Sequence, residues 1–263
     1  MKDFKFLKKY GQNFLSDKNL LRAIVDDARV SSSDVVLEIG PGAGALTEPL
    51  LDKAGKVVSV EIDDRLLPEL TERFKDRDNF TLVHSDIMKL KDSEIESLVG
   101  RDFKVVANIP YYISTQLIMR FLESDLKAKS VTVMVQKEVA ERLTANPGDK
   151  EYGVISVAVA LWGRAKITRH VGRQMFFPVP DVDSAVVTVE TDENKTCEIA
   201  GVMKLVRTAF SMRRKTLRNN LLAGYGITGD KFDTAIRELG YDTAVRGERL
   251  SPNDFIKLYE LLK

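Results

Sequence analysis

The sequence predicts an α/β protein: a doubly wound, mostly parallel sheet followed by a small all-helical C-terminal domain. Three observations predict it. Short β-branched runs alternate with helix-patterned segments over the first two thirds of the chain. A glycine-rich turn follows the first of those runs, where such a sheet passes from strand to helix. Strand patterns stop near residue 190, and only helix patterns follow.

Five runs read as parallel strands: 34–39 (DVVLEI), 56–61 (KVVSVE), 80–84 (FTLVH), 103–107 (FKVVA) and 130–135 (SVTVMV). Helical patterns lie among them and after them, at 45–53, 65–74, 115–123 and 137–144. Strand–helix alternation at this spacing implies right-handed crossovers and a parallel sheet. Two more strands are expected at 165–171 and 184–190. The gap between them holds Pro178 and Pro180 and is too short for a crossover helix. That pair is therefore expected to be antiparallel and at the sheet edge. Segment 154–162 is apolar nearly throughout, so periodicity cannot separate buried helix from strand. Its length, 152–163, favours helix. A polar linker, TDENKTC, follows residue 190. Beyond it, helices are expected at 199–210, 215–223, 231–239 and 252–262, the last capped by Ser251 ahead of Pro252. The division implied is residues 1–190 for one domain and 191–263 for the other.

Composition excludes several classes. The 263 residues are 44% hydrophobic, enough for a core, and no apolar run reaches the roughly 18–20 residues that span a bilayer. The basic start, MKDFKFLKKYGQNFL, lacks the apolar stretch of a secretory signal. The single cysteine, Cys197, forms no internal disulfide, and with only two histidines no structural zinc site or other metal is expected. The expectation is a soluble cytoplasmic protein. Lys plus Arg number 40 against 39 for Asp plus Glu, a net charge of +1. The distribution is uneven. Residues 51–100 carry eight basic and twelve acidic side chains, whereas residues 204–218 carry Lys204, Arg207, Arg213, Arg214, Lys215 and Arg218 with no acid. The first nine residues, with Lys2, Lys5, Lys8 and Lys9 against Asp3, form a second basic cluster. Arg164, Lys166, Arg169 and Arg173 form a third. Such clusters bind phosphates or simply face solvent.

The clearest motif is Glu38-Ile39-Gly40-Pro41-Gly42-Ala43-Gly44-Ala45, between a strand and a helix. Glycines there let the backbone turn tightly and approach a ligand. Glu61, 21 residues after Gly40 at the end of the second strand, suits ribose hydroxyls. This much also satisfies a loose dinucleotide fingerprint. After the third strand comes His84-Ser85-Asp86-Ile87, where an acid could accept a hydrogen bond from an exocyclic adenine amine or merely cap a helix. After the fourth comes Asn108-Ile109-Pro110-Tyr111-Tyr112. It offers an amide oxygen, a carbonyl held by the following proline and an aromatic face, the parts needed to grip a planar base bearing an amino group. Tyr112 is read as a core residue.

In this order, the glycine turn, Glu61, Asp86 and Asn108-Ile109-Pro110-Tyr111 resemble a class I S-adenosylmethionine-dependent methyltransferase, with its Rossmann-like sheet. The last motif is similar to that of N6-adenine methyltransferases. Gly11-Gln12-Asn13-Phe14-Leu15 and 176–184 (FFPVPDVDS) resemble the rRNA adenine dimethyltransferases. Asn146-Pro147-Gly148-Asp149-Lys150-Glu151-Tyr152-Gly153 and 213–220 (RRKTLRNN) resemble the bacterial small-subunit (16S) branch, the KsgA family. The resemblance runs from about residue 8 to 262. It departs at position 177, a second aromatic where that family varies, so Phe176 and Phe177 are both candidates to face the site; alignment favours Phe176.

The resemblance implies an enzyme with S-adenosyl-L-methionine as cofactor, bound by Asn13, Leu15, Gly40, Gly42, Glu61, Ile62, Asp86, Ile87 and Asn108. Glu38 would support the glycine loop or sit in an inward polar network. It implies catalysis at Asn108, Ile109, Pro110, Tyr111 and Phe176, on adenosine N6 of 16S rRNA in the 30S subunit, by a monomer. The macrolide-resistance methylases of large-subunit rRNA share the cofactor motifs but tend to be strongly basic and lack the Arg-Arg-Lys-Thr-Leu block. A non-catalytic RNA-binding assembly factor on the same fold stays open. An NAD-dependent oxidoreductase would leave Asn108–Tyr111 and the basic block unexplained.

Overall fold

A computed structural model describes residues 14–15, 17–126, 128–192 and 199–263. Asn13, the basic start, most of the polar linker and Cys197 lie outside the described residues. The chain divides into two compact units. The first comprises the described chain up to Ala140 together with Ala165–Thr191, and the second comprises Glu141–Arg164 and Asp192–Lys263. The break after Thr191 falls beside the division at 190 read from the sequence. Residues 141–164 differ, because they belong with the C-terminal helices rather than with the sheet.

The first unit is built on a seven-stranded sheet. Its strands are β2 (Val35–Ile39), β3 (Lys56–Glu61), β4 (Phe80–His84), β5 (Lys104–Asn108), β6 (Ser130–Gln136), β7 (Gly163–Val171) and β9 (Ser184–Thr191), in the order β4-β3-β2-β5-β6-β9-β7. The first five pair in parallel, and β9 runs antiparallel to β6, with Val131 opposite Val189. Every residue of β6 but the last is buried, and the interior of β5 likewise. Near-continuous Val-rich runs are what a sheet covered on both faces requires. The expected edge pair is corrected in one respect: β9 is interior, and only β7 is at the edge.

Helices cover the sheet where apolar side chains recur on one face. α1 (Lys18–Asp27) buries Leu21, Ile24 and Val25 and is capped by Asp17, whose carboxylate accepts from Asn19 and Leu20 N–H at 2.8 and 2.9 Å. Together with α2 (Thr47–Leu51) and α3 (Leu67–Arg73) it packs a cluster that includes Leu50, Leu70, Val36, Val57 and Val106. Each such side chain contributes about 1.5–3 kcal/mol when fully buried. α4 (Asp92–Val99), which touches β2, and α5 (Ser114–Glu123) complete the unit's longer helices, and α6 (Lys137–Thr144) follows β6 in the chain. A two-stranded ribbon pairs β1 (Phe14–Leu15) with β8 (Phe176–Phe177), Leu15 opposite Phe176. The Phe177–Pro178 peptide is cis.

The second unit gathers α7 (Val154–Trp162), α8 (Ile199–Ala209), α9 (Leu217–Gly224), α10 (Gly229–Glu238) and α11 (Pro252–Leu262). α7 packs on α8 and α11 and is buried nearly all round, which is why its period was silent. Phe232, Ile236, Leu221, Phe255 and Leu258 fill this core. The Tyr152 hydroxyl donates to the Leu250 carbonyl at 3.0 Å. Ser251 caps α11 as expected, accepting from Asp254 N–H at 3.1 Å, with Pro252 in the first turn.

Candidate active site

The strand order reverses between β2 and β5, with β3 and β4 on one side and β6 on the other. In open parallel sheets ligands gather at the carboxyl ends of strands beside such a switch point. A cavity of about 270 Å³ lies there. Its walls come from the residues that follow β2, β3, β4 and β5, and from Leu15, Leu21 and Phe176.

The turn after β2 is built by glycines with positive φ, +66° at Gly40 and +79° at Gly44. Their reasons differ. A Cβ on Gly40 would meet nothing within 4 Å, so only the backbone conformation demands glycine. A Cβ on Gly44 would lie 2.6 Å from the Phe74 ring and 3.1 Å from Leu70, so there glycine also lets the turn close onto α3. Glu61 fastens the turn from β3. Its Oε2 accepts from Gly42 N–H at 3.2 Å, and its Oε1 accepts from Ile62 and Asp63 N–H, both at 2.9 Å. Oε1 is thereby filled, while Oε2 keeps a lone pair beside the cavity it lines. Burial raises the Glu61 carboxyl above its ordinary value, and the three N–H groups oppose that rise.

Glu38, at the base of the turn, is buried and also lines the cavity. Its Oε2 accepts from Thr47 Oγ1 at 2.8 Å and Ser59 Oγ at 2.6 Å. Its Oε1 has no partner among the described residues. Of the two readings, the inward polar network describes it. Burial pushes this carboxyl up to about 7, with the nearby Glu61 charge adding to the rise.

Asp86, half-buried after β4, accepts from Met88 N–H at 3.0 Å and so closes its own turn. That segment is held by Arg120 of α5, which donates to the Ile87 carbonyl at 2.7 Å, to the Leu90 carbonyl, and to Asp92 at 3.3 Å. After β5, Asn108 is half-buried and Ile109 buried, and both line the cavity with Pro110 and Tyr111. Pro110 restricts Ile109 to extended backbone, which fixes the direction of its carbonyl. The Tyr111 hydroxyl and Ser184 Oγ are 2.6 Å apart, which ties the ring to the start of β9, and burial raises its pKa.

Of the residues singled out in the sequence, Leu15, Gly40, Gly42, Glu61, Ile62, Asp86, Ile87, Asn108, Ile109, Pro110, Tyr111 and Phe176 all line this one cavity. Phe176 is 3% exposed and faces it, whereas Phe177 is 66% exposed, because adjacent residues of a strand point to opposite sides. Tyr112 corrects the sequence reading: it is 60% exposed, not core. Ser85, inside the His84–Ile87 motif, also lines the cavity, as do Leu21, Met88 and Ile113, which carried no motif signal.

This chain matches the family model "Ribosomal RNA adenine dimethylase" over residues 3–263. It belongs to the ribosomal RNA adenine dimethylase family. Among its relatives, "Ribosomal RNA small subunit methyltransferase A" of Clostridium botulinum is 41% identical, over 99% of this chain and 95% of that one. The protein of the same name from Streptococcus pneumoniae is 43% identical, over 99% and 93%. Among solved structures, a dimethyladenosine transferase from Plasmodium falciparum has a TM-score of 0.79 at 31% identity, over 93% of this chain and 95% of that one. The 23S rRNA methyltransferase ErmE has a TM-score of 0.74 at 26% identity, over 95% and 99%. In this dimethylase the helical second unit carries the basic stretch around residue 213. Part of its charge is engaged: Arg218 pairs with Asp233 at 2.8 Å, and Arg213 donates to the Lys150 carbonyl at 2.5 Å. The count along the sequence missed Asp233 because it lies 15 residues further on. In the first unit, Arg169 pairs with Asp27 at 3.1 Å. Among the described residues no group of acids, histidines and cysteine could hold a metal ion, and no helix is long and apolar enough to cross a membrane.

Proposed function

We propose that this dimethylase transfers methyl groups from S-adenosylmethionine to the N6 amines of two adjacent adenosines near the 3′ end of 16S rRNA, giving N6,N6-dimethyladenosine during ribosome biogenesis. The observation that carries this reading is the convergence of Asn108, Ile109, Tyr111 and Phe176 on one cavity with Glu61 and Asp86. Its relatives at 41–43% identity bear the small-subunit name, which supports 16S over large-subunit rRNA.

The donor set suits the cofactor. Glu61 Oε2 has the remaining lone pair for a ribose hydroxyl, Asp86 can accept from the adenine amine, and Ile62 and Ile87 give apolar cover to a purine. Gly40 and Gly42 keep side chains off the turn, Leu15 covers the ligand from its place in the cavity wall, and Asn13, outside the described residues, is a cofactor contact on the strength of the family resemblance alone. When bound, S-adenosylmethionine supplies an electrophilic methyl group on a positively charged sulfur.

The protein's task is to prepare the nitrogen. The adenosine leaves its stack to reach the cavity, and Tyr111 and Phe176 take its two faces. The N6 lone pair is delocalised into the ring and weakly nucleophilic. Asn108 Oδ1 and the Ile109 carbonyl accept its two hydrogens and draw it toward tetrahedral geometry, so the lone pair points out of the ring plane. Pro110 and the Tyr111–Ser184 contact hold these acceptors and the ring in place. Positioning and preorganised dipoles therefore replace a strong base, and the proton leaves to water once the N–C bond has formed. Arg214 and Lys215, exposed before α9, contact RNA phosphates of the small subunit. The chain acts as a cytoplasmic monomer, with residues 191–263 helping to dock.

The test is transfer of labelled methyl to small subunits that lack the modification, beside naked large-subunit rRNA. Label in the small subunit supports the reading. Label only in large-subunit rRNA places the chain with the macrolide-resistance methylases, and label in neither favours an assembly factor.

A further inference from the structure

The cofactor and the target base are gripped by segments that the sheet keeps apart. Asp86 and Ile87 follow β4, and Asn108 to Tyr111 lie at the end of β5 and beyond it. β3 and β2 stand between those two strands, a separation of about 14 Å at the usual strand spacing. One side chain joins the first segment to the helix that continues the second. Arg120, on α5, donates to the Ile87 carbonyl at 2.7 Å, to the Leu90 carbonyl, and to Asp92 Oδ1 at 3.3 Å. Its side chain is 16% exposed, and its Nε is buried with no partner among the described residues. A buried donor left empty costs stability, and a methionine would fill a similar length without that cost. Packing alone therefore does not account for an arginine at this position.

We propose that Arg120 is a positioning residue for the cofactor's adenine: through the backbone of residues 87–90 it sets Asp86 and Ile87, and it does so from the helix that continues the catalytic turn. The proposal rests on the reading that Asp86 accepts from the adenine amine. The segment needs an outside anchor. Met88 N–H donates to Asp86 Oδ1 at 3.0 Å, and Lys89 and Leu90 N–H donate to the Asp86 carbonyl at 2.9 and 3.3 Å. Those bonds close the segment on itself and leave its place on the protein open. Ser85 N–H, which donates to the Glu61 carbonyl at 3.0 Å, fixes where the segment enters. Arg120 fixes where it goes. Two carbonyls three residues apart meet one planar guanidinium, whose donors form a rigid fork. The other end of the link is equally firm. Ile113 N–H donates to the Pro110 carbonyl at 3.2 Å, and Ser114 Oγ donates to the Tyr111 carbonyl at 3.0 Å, so the catalytic turn runs directly into α5. Arg120 stands about 9 Å along that helix from Ser114. One rigid piece thus carries the acceptors for the target amine and the anchor for the acceptor of the cofactor's amine.

The experiment uses the full chain and calorimetry with two ligands, S-adenosylhomocysteine and S-inosylhomocysteine, whose purine carries an oxygen in place of the 6-amino group. Wild-type protein is expected to prefer the adenosyl ligand. Arg120→Met is expected to bind S-adenosylhomocysteine about tenfold more weakly and to lose much less for the inosyl ligand, so that the preference shrinks. Its kcat at saturating S-adenosylmethionine stays within about twofold, because β5 and α5 still hold the catalytic turn, and the loss appears in KM for the cofactor. Arg120→Lys keeps the charge without the fork and loses part of the preference; it decides the question alone if the methionine variant does not fold. An unchanged preference in the variants overturns the proposal. So does an equal loss for both ligands, since Arg120 would then only support the fold. If wild-type protein shows no preference between the ligands, Asp86 does not read the adenine amine, and the proposal falls with that reading.

Discussion

Glu38→Gln should make the protein more stable at alkaline pH and leave it unchanged at acid pH. Glu38 is buried, accepts from Thr47 and Ser59 through one oxygen, and has no partner among the described residues for the other. Its carboxyl is raised from 4.5 to about 7, chiefly by burial, with Glu61 the nearby charge. A raised folded value means stability that is complete below pH 4.5 and declines as pH rises through 7. The difference of roughly 2.5 units corresponds to about 3 kcal/mol once both states are ionised. Glutamine mimics the protonated acid: its carbonyl accepts from the same two hydroxyls, and its amide takes the unpartnered position. Urea denaturation midpoints from pH 5 to pH 8.5 read the effect. The variant should lead by a little under 1 kcal/mol near pH 5, where the unfolded acid is already mostly ionised, and by about 3 kcal/mol near pH 8.5. Parallel pH profiles would refute the claim that Glu38 is held neutral by burial.

Gly44→Ala adds a Cβ 2.6 Å from Phe74 at a φ of +79° and should cost about 2–5 kcal/mol, strain and overpacking together. Gly40→Ala meets no atom and should cost about 1–2 kcal/mol of strain alone, so thermal unfolding should rank the two. Tyr111→Phe loses only the contact with Ser184 and should lower stability by about 0.5–1.5 kcal/mol while methyl transfer persists, whereas Tyr111→Ala should abolish most transfer. Neutralising Arg214 and Lys215 together should lower the salt dependence of small-subunit binding by up to two phosphate contacts, read from the slope of log affinity against log salt. Glu61→Gln should weaken cofactor binding by calorimetry, since the amide can accept from two of the backbone N–H groups but must turn its NH₂ toward the third.

The parallel strands were legible because each is a short β-branched run with its own turn chemistry, and the cavity because its polar parts follow those strands. α1 and α4 were missed. α1 sits behind the glutamine-containing leader and shows its pattern only through Leu21, Ile24 and Val25, and α4 buries only Ile95 and Val99 in eight residues. The position of β9 inside the sheet depends on its pairing with β6, 48 residues away at the closest partners, Gln136 and Ser184, which no local pattern encodes. Tyr112 was misread because an aromatic in an apolar context looks like core, and only the turn geometry shows which of two adjacent tyrosines faces in. The Arg120 clamp on the Asp86 segment and the Arg218–Asp233 pair are likewise contacts between segments.

The central claim is that Asn108 and Ile109 hold the N6 amine of small-subunit adenosines for methylation. Mass spectrometry of the 3′ region of 16S rRNA, after unmodified small subunits are incubated with S-adenosylmethionine and either wild-type protein or Asn108→Ala, tests it most directly. The account predicts dimethyladenosine at the two adjacent positions with wild type and unmodified adenosine with the variant. Full modification by Asn108→Ala would contradict it.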